Sequence, residues 1–432
     1  MTRKTSYLKC IDRKGGWVGL GGPLRCEASP KALALGAQLP LHYEGVTLSD
    51  LIQRIRQEMP ATTAHIYLNT GTFGPLPACV VQAMQEYLQT EWHDGRLGAA
   101  AFENMKNTYN DARAKVARLL HADASEIALT DNTGEGCNII SYGFNWHEGD
   151  EVITTNHEHT SALVPLFQIR NRYGVVVRTA DLDPVAADPT SPAISALVTP
   201  RTRLIVLSHV TWTTGAVLDI AEVARMGRER GIPVLIDGAQ SAGAIPIDVK
   251  ALDVDFYAIP MQKWLCGPDG TGALYVRKES IDHVAPTYVG YWSIKHEEGH
   301  SEEMELAEGA QRFEVGGRQT AALAGQCAVL SWLEETVGHQ WLFERISSLS
   351  AYAYHALKAL PGVTMLTPRP GTSGLVSFLL EGRDVKEVVK QLHDEHNIII
   401  RDIPSTKSLR VSTGFYNTQE EIDTLVQALR AL

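Results

Sequence analysis

Two residues carry the strongest chemical signal in this 432-residue chain. Lys263 stands in Tyr257-Ala-Ile-Pro-Met-Gln-Lys-Trp-Leu-Cys-Gly-Pro-Asp-Gly-Thr-Gly272, an apolar run that enters a Gly/Pro-rich turn. Upstream, Asp237 ends Ile232-Pro-Val-Leu-Ile-Asp237 and precedes Gly-Ala-Gln-Ser-Ala-Gly243. A lysine in a buried setting can lose its proton and become a nucleophilic amine. A carboxylate at the carboxyl end of a buried strand can hold a protonated ring nitrogen. A Schiff-base lysine with an acidic partner for a pyridinium nitrogen is what pyridoxal phosphate (PLP) demands of a protein. The bland alternatives are a surface lysine before a turn and an aspartate that caps the next helix.

A third segment fits the same chemistry. Thr130-Asp-Asn-Thr-Gly-Glu-Gly136 follows an apolar run and opens a helix. Backbone N–H groups in such a turn, helped by the helix dipole, suit a phosphate. Asn156-His-Glu-His-Thr160 offers two imidazoles, His157 and His159. A metal reading of that pair is weak, because no third ligand is in sight. The six cysteines form no C-x-x-C pair, so neither a disulfide framework nor a zinc site is expected, and a reducing cytoplasm is the simplest setting.

These residues must be held by a frame, and the pattern supplies one. Candidate strands are 126–130, 151–155, 175–178, 204–208, 233–237, 255–259 and 272–277, mostly separated by helical segments. Near-continuous Val/Ile/Leu strands alternating with helices predict a parallel-rich α/β sheet covered on both faces. Its ligand belongs at the carboxyl ends of the strands. Before the sheet, a helix is expected from about residue 47 and a short strand at 65–69, followed by helices over 78–120. After it, a long helix at 319–337 leads to a second, α+β unit. That unit comprises 374–380, a helix at 384–396, a strand at 398–401 and a terminal helix at 419–432. The expected division is an extension without regular structure (1–45), a segment packing on the small domain (46–85), a large domain (86–318) and a small one (319–432).

Composition narrows the class. A formal net charge of -11 with no long basic run argues against a nucleic-acid partner. No apolar run of about 18 residues predicts a membrane span. The N-terminal Gly-rich stretch is too short for a secretory signal.

At this point the chain, over roughly residues 60–432, resembles fold-type I PLP enzymes of the class-V aminotransferase family. That group includes cysteine desulfurases, cystine C–S lyases and isopenicillin N epimerase. The resemblance implies a large domain with a mostly parallel seven-stranded sheet and a smaller C-terminal α+β domain. It implies Lys263 as Schiff-base lysine and proton shuttle, Asp237 as ring-nitrogen partner and His159 stacked on the ring, with His157 on the surface. Gln240 would face the phenolic oxygen, and Thr133 and Gly134 the phosphate. Arg410, in Ser408-Leu-Arg-Val-Ser-Thr413, would grip the substrate α-carboxylate, and Asn69 to Gly74 would line the substrate side. A homodimer with shared active sites is implied, acting on a small-molecule α-amino-acid substrate.

Departures from the pattern matter as well. Pro260 and Gln262 replace a serine and a histidine common before the lysine, and Trp212 replaces an asparagine near the ring. Gly317 stands where the neighbouring subunit usually lends a threonine. Backbone amides, Gln262 or Arg318 are the candidates to compensate. The desulfurase thiol is missing: Arg401-Asp-Ile-Pro-Ser-Thr-Lys-Ser-Leu-Arg410 has no cysteine, and Cys327 is the last one. The favoured activity is therefore C–S β-elimination from a cysteine- or cystine-type substrate. Epimerisation, transamination, desulfuration and PLP binding without catalysis are the alternatives.

Overall fold

The computed structural model describes residues 48–187, 189–295 and 304–432; the expectation for residues 1–45 lies outside them. Along the chain the first elements are α1 (Leu48–Glu58), α2 (Ala61–Ala64), β1 (Ile66–Tyr67), α3 (Ala78–Asp94) and α4 (Ala99–Leu120). An alternating stretch follows: β2 (Ile127–Thr130), α5 (Thr133–Gly143), β3 (Glu151–Thr155), α6 (Thr160–Tyr173), β4 (Val176–Ala180), α7 (Thr190–Ser195), β5 (Thr202–Ser208), α8 (Ile220–Glu229), β6 (Val234–Asp237), β7 (Phe256–Pro260) and β8 (Gly272–Val276).

These seven strands, β2 to β8, form one sheet in the order β2-β8-β7-β6-β5-β3-β4. Only β8 runs against its neighbours, pairing antiparallel with both β2 and β7. The other six therefore point their carboxyl ends to one edge. Every residue of β2, β3, β6, β7 and β8 is buried, which is why they read as unbroken apolar runs rather than alternating ones. Alternate residues serve opposite faces. Ala128, Val152, Val206 and Leu235 pack with Cys137 and Ile140 of α5 and Leu166 of α6, while Leu129 packs with Tyr109 of α4 and Leu323 of the next helix.

That helix is α9 (Thr320–Ser331), followed by α10 (His339–Lys358), β9 (Val363–Met365), β10 (Leu375–Leu380), α11 (Val385–His396), β11 (Ile398–Ile399), β12 (Arg401–Ile403), β13 (Ser408–Ser412) and α12 (Gln419–Ala431). The long helix expected over 319–337 is α-helical only to Ser331. Residues Trp332–Val337 continue as a π-helical turn, closed by Gly338 at φ 81°. Four strands form a second, antiparallel sheet in the order β12-β13-β10-β9. Its own core unites Val376 and Val411 with Leu349 of α10, Leu392 of α11 and Leu425 of α12.

The run expected as one strand at 398–401 divides. β11 pairs parallel with β1, whereas β12 pairs with β13. The N-terminal segment thus runs beside the small sheet; Asn69 bridges to Ser412, and Ser412 donates its N–H to Leu68.

Candidate active site

The carboxyl ends of β2, β3, β5, β6 and β7 open onto a cavity of about 410 Å³. Residues from the turns after these strands line it, together with Gly71, Thr72, Phe73, Arg401 and Arg410. Another cleft, between α1 and α12, is lined by Arg56, whose guanidinium is already paired with Glu421; no strand end reaches it.

Lys263 lies three residues beyond β7. The turn that carries it is held from two sides. Trp264, 1% exposed, donates its indole N–H to Gln240 Oε1 at 2.9 Å. Gly74 donates its N–H to the Gln262 carbonyl at 2.7 Å, and a Cβ on Gly74 would fall 2.2 Å from the Lys263 carbonyl, so only glycine lets the two segments meet. The Lys263 amine has no hydrogen-bond or ion-pair partner among the described residues. Burial, reinforced by Arg410 and Arg401 and opposed by Asp237, pulls its pKa down to about 8. A lysine so placed yields a free amine close to neutral pH.

Asp237 is the last residue of β6 and 3% exposed. Its Oδ1 accepts the Ala239 N–H at 2.8 Å, and the other oxygen takes no hydrogen bond from the protein. Gln240 donates to the Gly71 carbonyl at 2.8 Å and accepts from Trp264. One N–H of its amide is left for the cavity, so much of its role is to hold the 71–74 segment.

His159 caps α6, with Nδ1 accepting the Ser161 N–H at 3.1 Å. Its ring meets Trp212 edge-on, centroids 5.2 Å apart at 90°. Burial, then the Lys263 charge, lowers its pKa, which favours a neutral ring. His157 is not on the surface as expected: it is 6% exposed, and its Nε2 lies 2.9 Å from the Asp183 carbonyl. The turn after β3 folds inward, and His157 fills that turn instead of the cavity.

At the start of α5, Asn132 caps the helix by accepting the Glu135 N–H, and Thr133 and Gly134 face the cavity. The Thr133 hydroxyl and Gln262 Oε1 are buried without partners. Buried polar atoms are rarely left unpaired, and both of these point to a missing polar ligand. Arg318 is committed elsewhere, to Asp131 and Glu135, and does not line the cavity. Gly317 is exposed and does not reach this chain's cavity either.

Arg410, in the middle of β13, is fully buried. It donates to the Trp212 carbonyl at 2.8 Å and to Thr72 Oγ1 at 3.1 Å, and its Nε has no partner. Burial, then Arg401, pulls its pKa down to about 9. Arg401 stands directly opposite in the β12–β13 register. It donates to the same Thr72 hydroxyl at 3.2 Å, and its guanidinium lies 5.8 Å from the Trp212 ring centroid. Like charges across a strand pair repel, and neither arginine forms an ion pair among the described residues. Asn69, expected on the substrate side, does not line the cavity. Its Oδ1 accepts the Thr72 O–H at 2.8 Å, which turns the Thr72 oxygen toward both arginines. Arg401 and Thr72 were not singled out from sequence; the spacing of two arginines across a hairpin is the signal that could have found Arg401.

The class-V aminotransferase profile matches residues 66–425. The chain belongs to that family. It is a PLP-dependent enzyme. It is 29% identical over 398 residues to a probable cysteine desulfurase of Methanothermobacter thermautotrophicus, covering 88% of this chain and 97% of the relative. It is 30% identical over 391 residues to isopenicillin N epimerase of Streptomyces clavuligerus, covering 85% and 94%. Among solved structures it is similar to the cystine C–S lyase C-DES in complex with its reaction product cysteine persulfide, at TM-score 0.82 and 31% identity over 86% of this chain and 99% of the lyase.

Proposed function

We propose that the chain catalyses C–S β-elimination from a cystine-type amino acid. The observation that carries this reading is the Arg401–Arg410 pair: two guanidinium groups share one threonine beside a lysine amine, with no acidic partner. Arg410 is a buried cation without a counter-ion, which is costly; with the half-buried Arg401 beside it, the pair suits the two carboxylates of cystine. Arg410 takes the α-carboxylate and Arg401 the distal one, each able to bind in forked geometry.

The cofactor fits the residues present. Lys263 would hold it covalently, Asp237 would keep its ring nitrogen protonated, and His159 would lie against the ring. The unpartnered Thr133 hydroxyl, the Gly134 amide and Gln262 would take the phosphate. When bound, PLP supplies an electron sink for negative charge developing at the substrate α-carbon. Once the substrate amine has replaced it on the cofactor, the freed Lys263 amine would take the α-proton, and its lowered pKa suits a base working near neutrality. Arg410 holds the α-carboxylate so that the reacting bond is correctly aimed. Cleavage of the Cβ–S bond leaves the sulfur group with the bonding electrons.

A desulfurase would need a thiol within reach. None of the four described cysteines lines the cavity, and burial raises the pKa of Cys137, Cys266, Cys327 and Cys79. The exposed Tyr288, Tyr291 and Val315 support a homodimer, with Gly317 offered to the partner's site; light scattering would test it. The cysteines' lack of disulfides among the described residues supports a cytoplasmic setting. The decisive assay gives the PLP-loaded protein cystine, cysteine and an amino-acid panel. Pyruvate with persulfide or sulfide supports the lyase. Alanine from cysteine means desulfuration, inverted configuration means epimerisation, and no product from any substrate leaves only binding.

A further inference from the structure

Beneath the cavity lies a buried acid that the reaction above does not use. Glu158 is 5% exposed and forms no ion pair among the described residues. Its Oε1 accepts the Thr155 O–H at 2.6 Å, and its Oε2 accepts the Ser208 O–H at 2.6 Å. Such short hydroxyl–carboxyl contacts are typical of an ionised acceptor. Thr155 ends β3 and Ser208 ends β5, two neighbouring strands of the large sheet. The carboxyl therefore joins two strand ends just before the chain turns into the cavity wall. Next along the sheet, Ser208 sits in register with Asp237.

The same residue reaches the aromatic wall through its backbone: the Glu158 carbonyl oxygen accepts the Trp212 indole N–H at 3.4 Å, and His159 is the next residue in sequence. The groups facing its side chain are known from every side: Thr155 of β3, Ser208 of β5, the Asp237 carboxyl of β6 and the Cys137 thiol of α5. No cation is among them.

We propose that Glu158 is a positioning residue for this site: its carboxyl clamps the ends of β3 and β5, sets the His159 and Trp212 rings, and places a second acidic group within Coulombic reach of Asp237. The proposal rests on the reading of Asp237 as the ring-nitrogen partner. An ionised Glu158 adds negative potential behind Asp237 and strengthens its hold on a ring proton. A neutral Glu158 keeps the clamp but not the potential.

Burial, opposed by the two hydroxyls and reinforced by Asp237, raises the Glu158 pKa to about 7. In an unfolded chain a glutamate titrates near 4.3 (approximate). The folded value is the higher one, so protonation stabilises the fold. That stability is complete at low pH and is lost as pH rises through about 7.

The test has two arms. In the first, denaturation midpoints of the apoprotein are followed from acid to neutral pH. Relative to Glu158→Gln, whose amide still bridges both hydroxyls, wild type should lose stability as Glu158 ionises; His159 and His209, whose pKa values burial lowers, titrate in both proteins and cancel in the difference. In the second, the pH dependence of kcat is measured with the PLP-loaded enzyme. Wild type should rise through an inflection near neutrality. Glu158→Gln should lack the inflection at about 7, keep the one that the Lys263 amine contributes at about 8, and run on the order of tenfold slower above them, as outer-shell changes typically do, with KM unchanged. Ser208→Ala, which removes one hydrogen bond to the carboxylate, should move the inflection upward; it also serves if Glu158→Gln fails to fold. An inflection unmoved in the variants, or an equal stability loss in Glu158→Gln, would overturn the proposal. The apoprotein difference between wild type and Glu158→Gln needs no cofactor, so failure of the cofactor reading would appear separately, as wild-type protein that takes up no PLP.

Discussion

The two sides of the cavity are built by different physics. On one side, Asp237 and Lys263 stand at or just beyond the ends of β6 and β7, whose residues are wholly buried. Their chemistry comes from burial within a parallel sheet, which lowers the lysine pKa and isolates the carboxylate. On the other side, Arg401 and Arg410 face each other across an antiparallel hairpin, held by a threonine from a third segment of chain. In the proposed reaction the first side provides reactivity and the second provides recognition. The second side lies on a separate four-stranded sheet, yet its two arginines reach across the cavity and help lower the Lys263 pKa.

If the division holds, damage to the reactive side should abolish turnover for every substrate. The largest effect is expected from Lys263→Ala: a folded protein without the visible absorbance of lysine-attached PLP, and turnover reduced on the order of 10⁴-fold. Absorbance spectra and steady-state rates check it, and near-normal turnover would remove Lys263 from the mechanism. Asp237→Asn should come next. It should retain PLP but lose on the order of 10³-fold in kcat, about 4 kcal/mol of transition-state stabilisation, because a neutral amide cannot hold the ring nitrogen protonated. A kcat close to wild type would show that Asp237 has another role.

The reactive side was also the more legible one. Six of the seven strands of the large sheet stand out in sequence because burial on both faces leaves largely apolar runs, four of which end in Thr130, Thr155, Ser208 and Asp237; the edge strand β4 is mostly exposed. Lys263 is marked by the turn that follows it. The recognition side is harder to read. Short strands such as β9 and β12 carry little pattern, and the Ile398–Arg401 run conceals a change of partner between β11 and β12. Asn69 and Thr72 lie in one segment and sequence does not rank them; in the fold Thr72 lines the cavity while Asn69 Oδ1 accepts its hydroxyl proton. His157 and His159 look equivalent in sequence; only the fold of the turn after β3 sends one into the cavity wall and the other beneath it.

The smallest effect is expected from the thiols. A variant with all six cysteines changed to Ser or Ala, once its folding is verified by circular dichroism, should still release pyruvate from cystine at a rate close to wild type. Cys137 and Cys266 are fully buried, so some stability will be lost. Loss of activity together with a persulfide trapped on a wild-type cysteine would restore the desulfurase reading.

The most direct test of the two-sided account is the ratio of kcat/KM for cystine to that for cysteine, compared between wild type and Arg401→Gln. If Arg401 reads the second carboxylate, the variant should lose about tenfold or more on cystine, the size of one charged hydrogen-bonded contact, and change little on cysteine. Equal losses on both substrates would contradict the account, because Arg401 would then support the fold or the α-carboxylate rather than recognise the distal one.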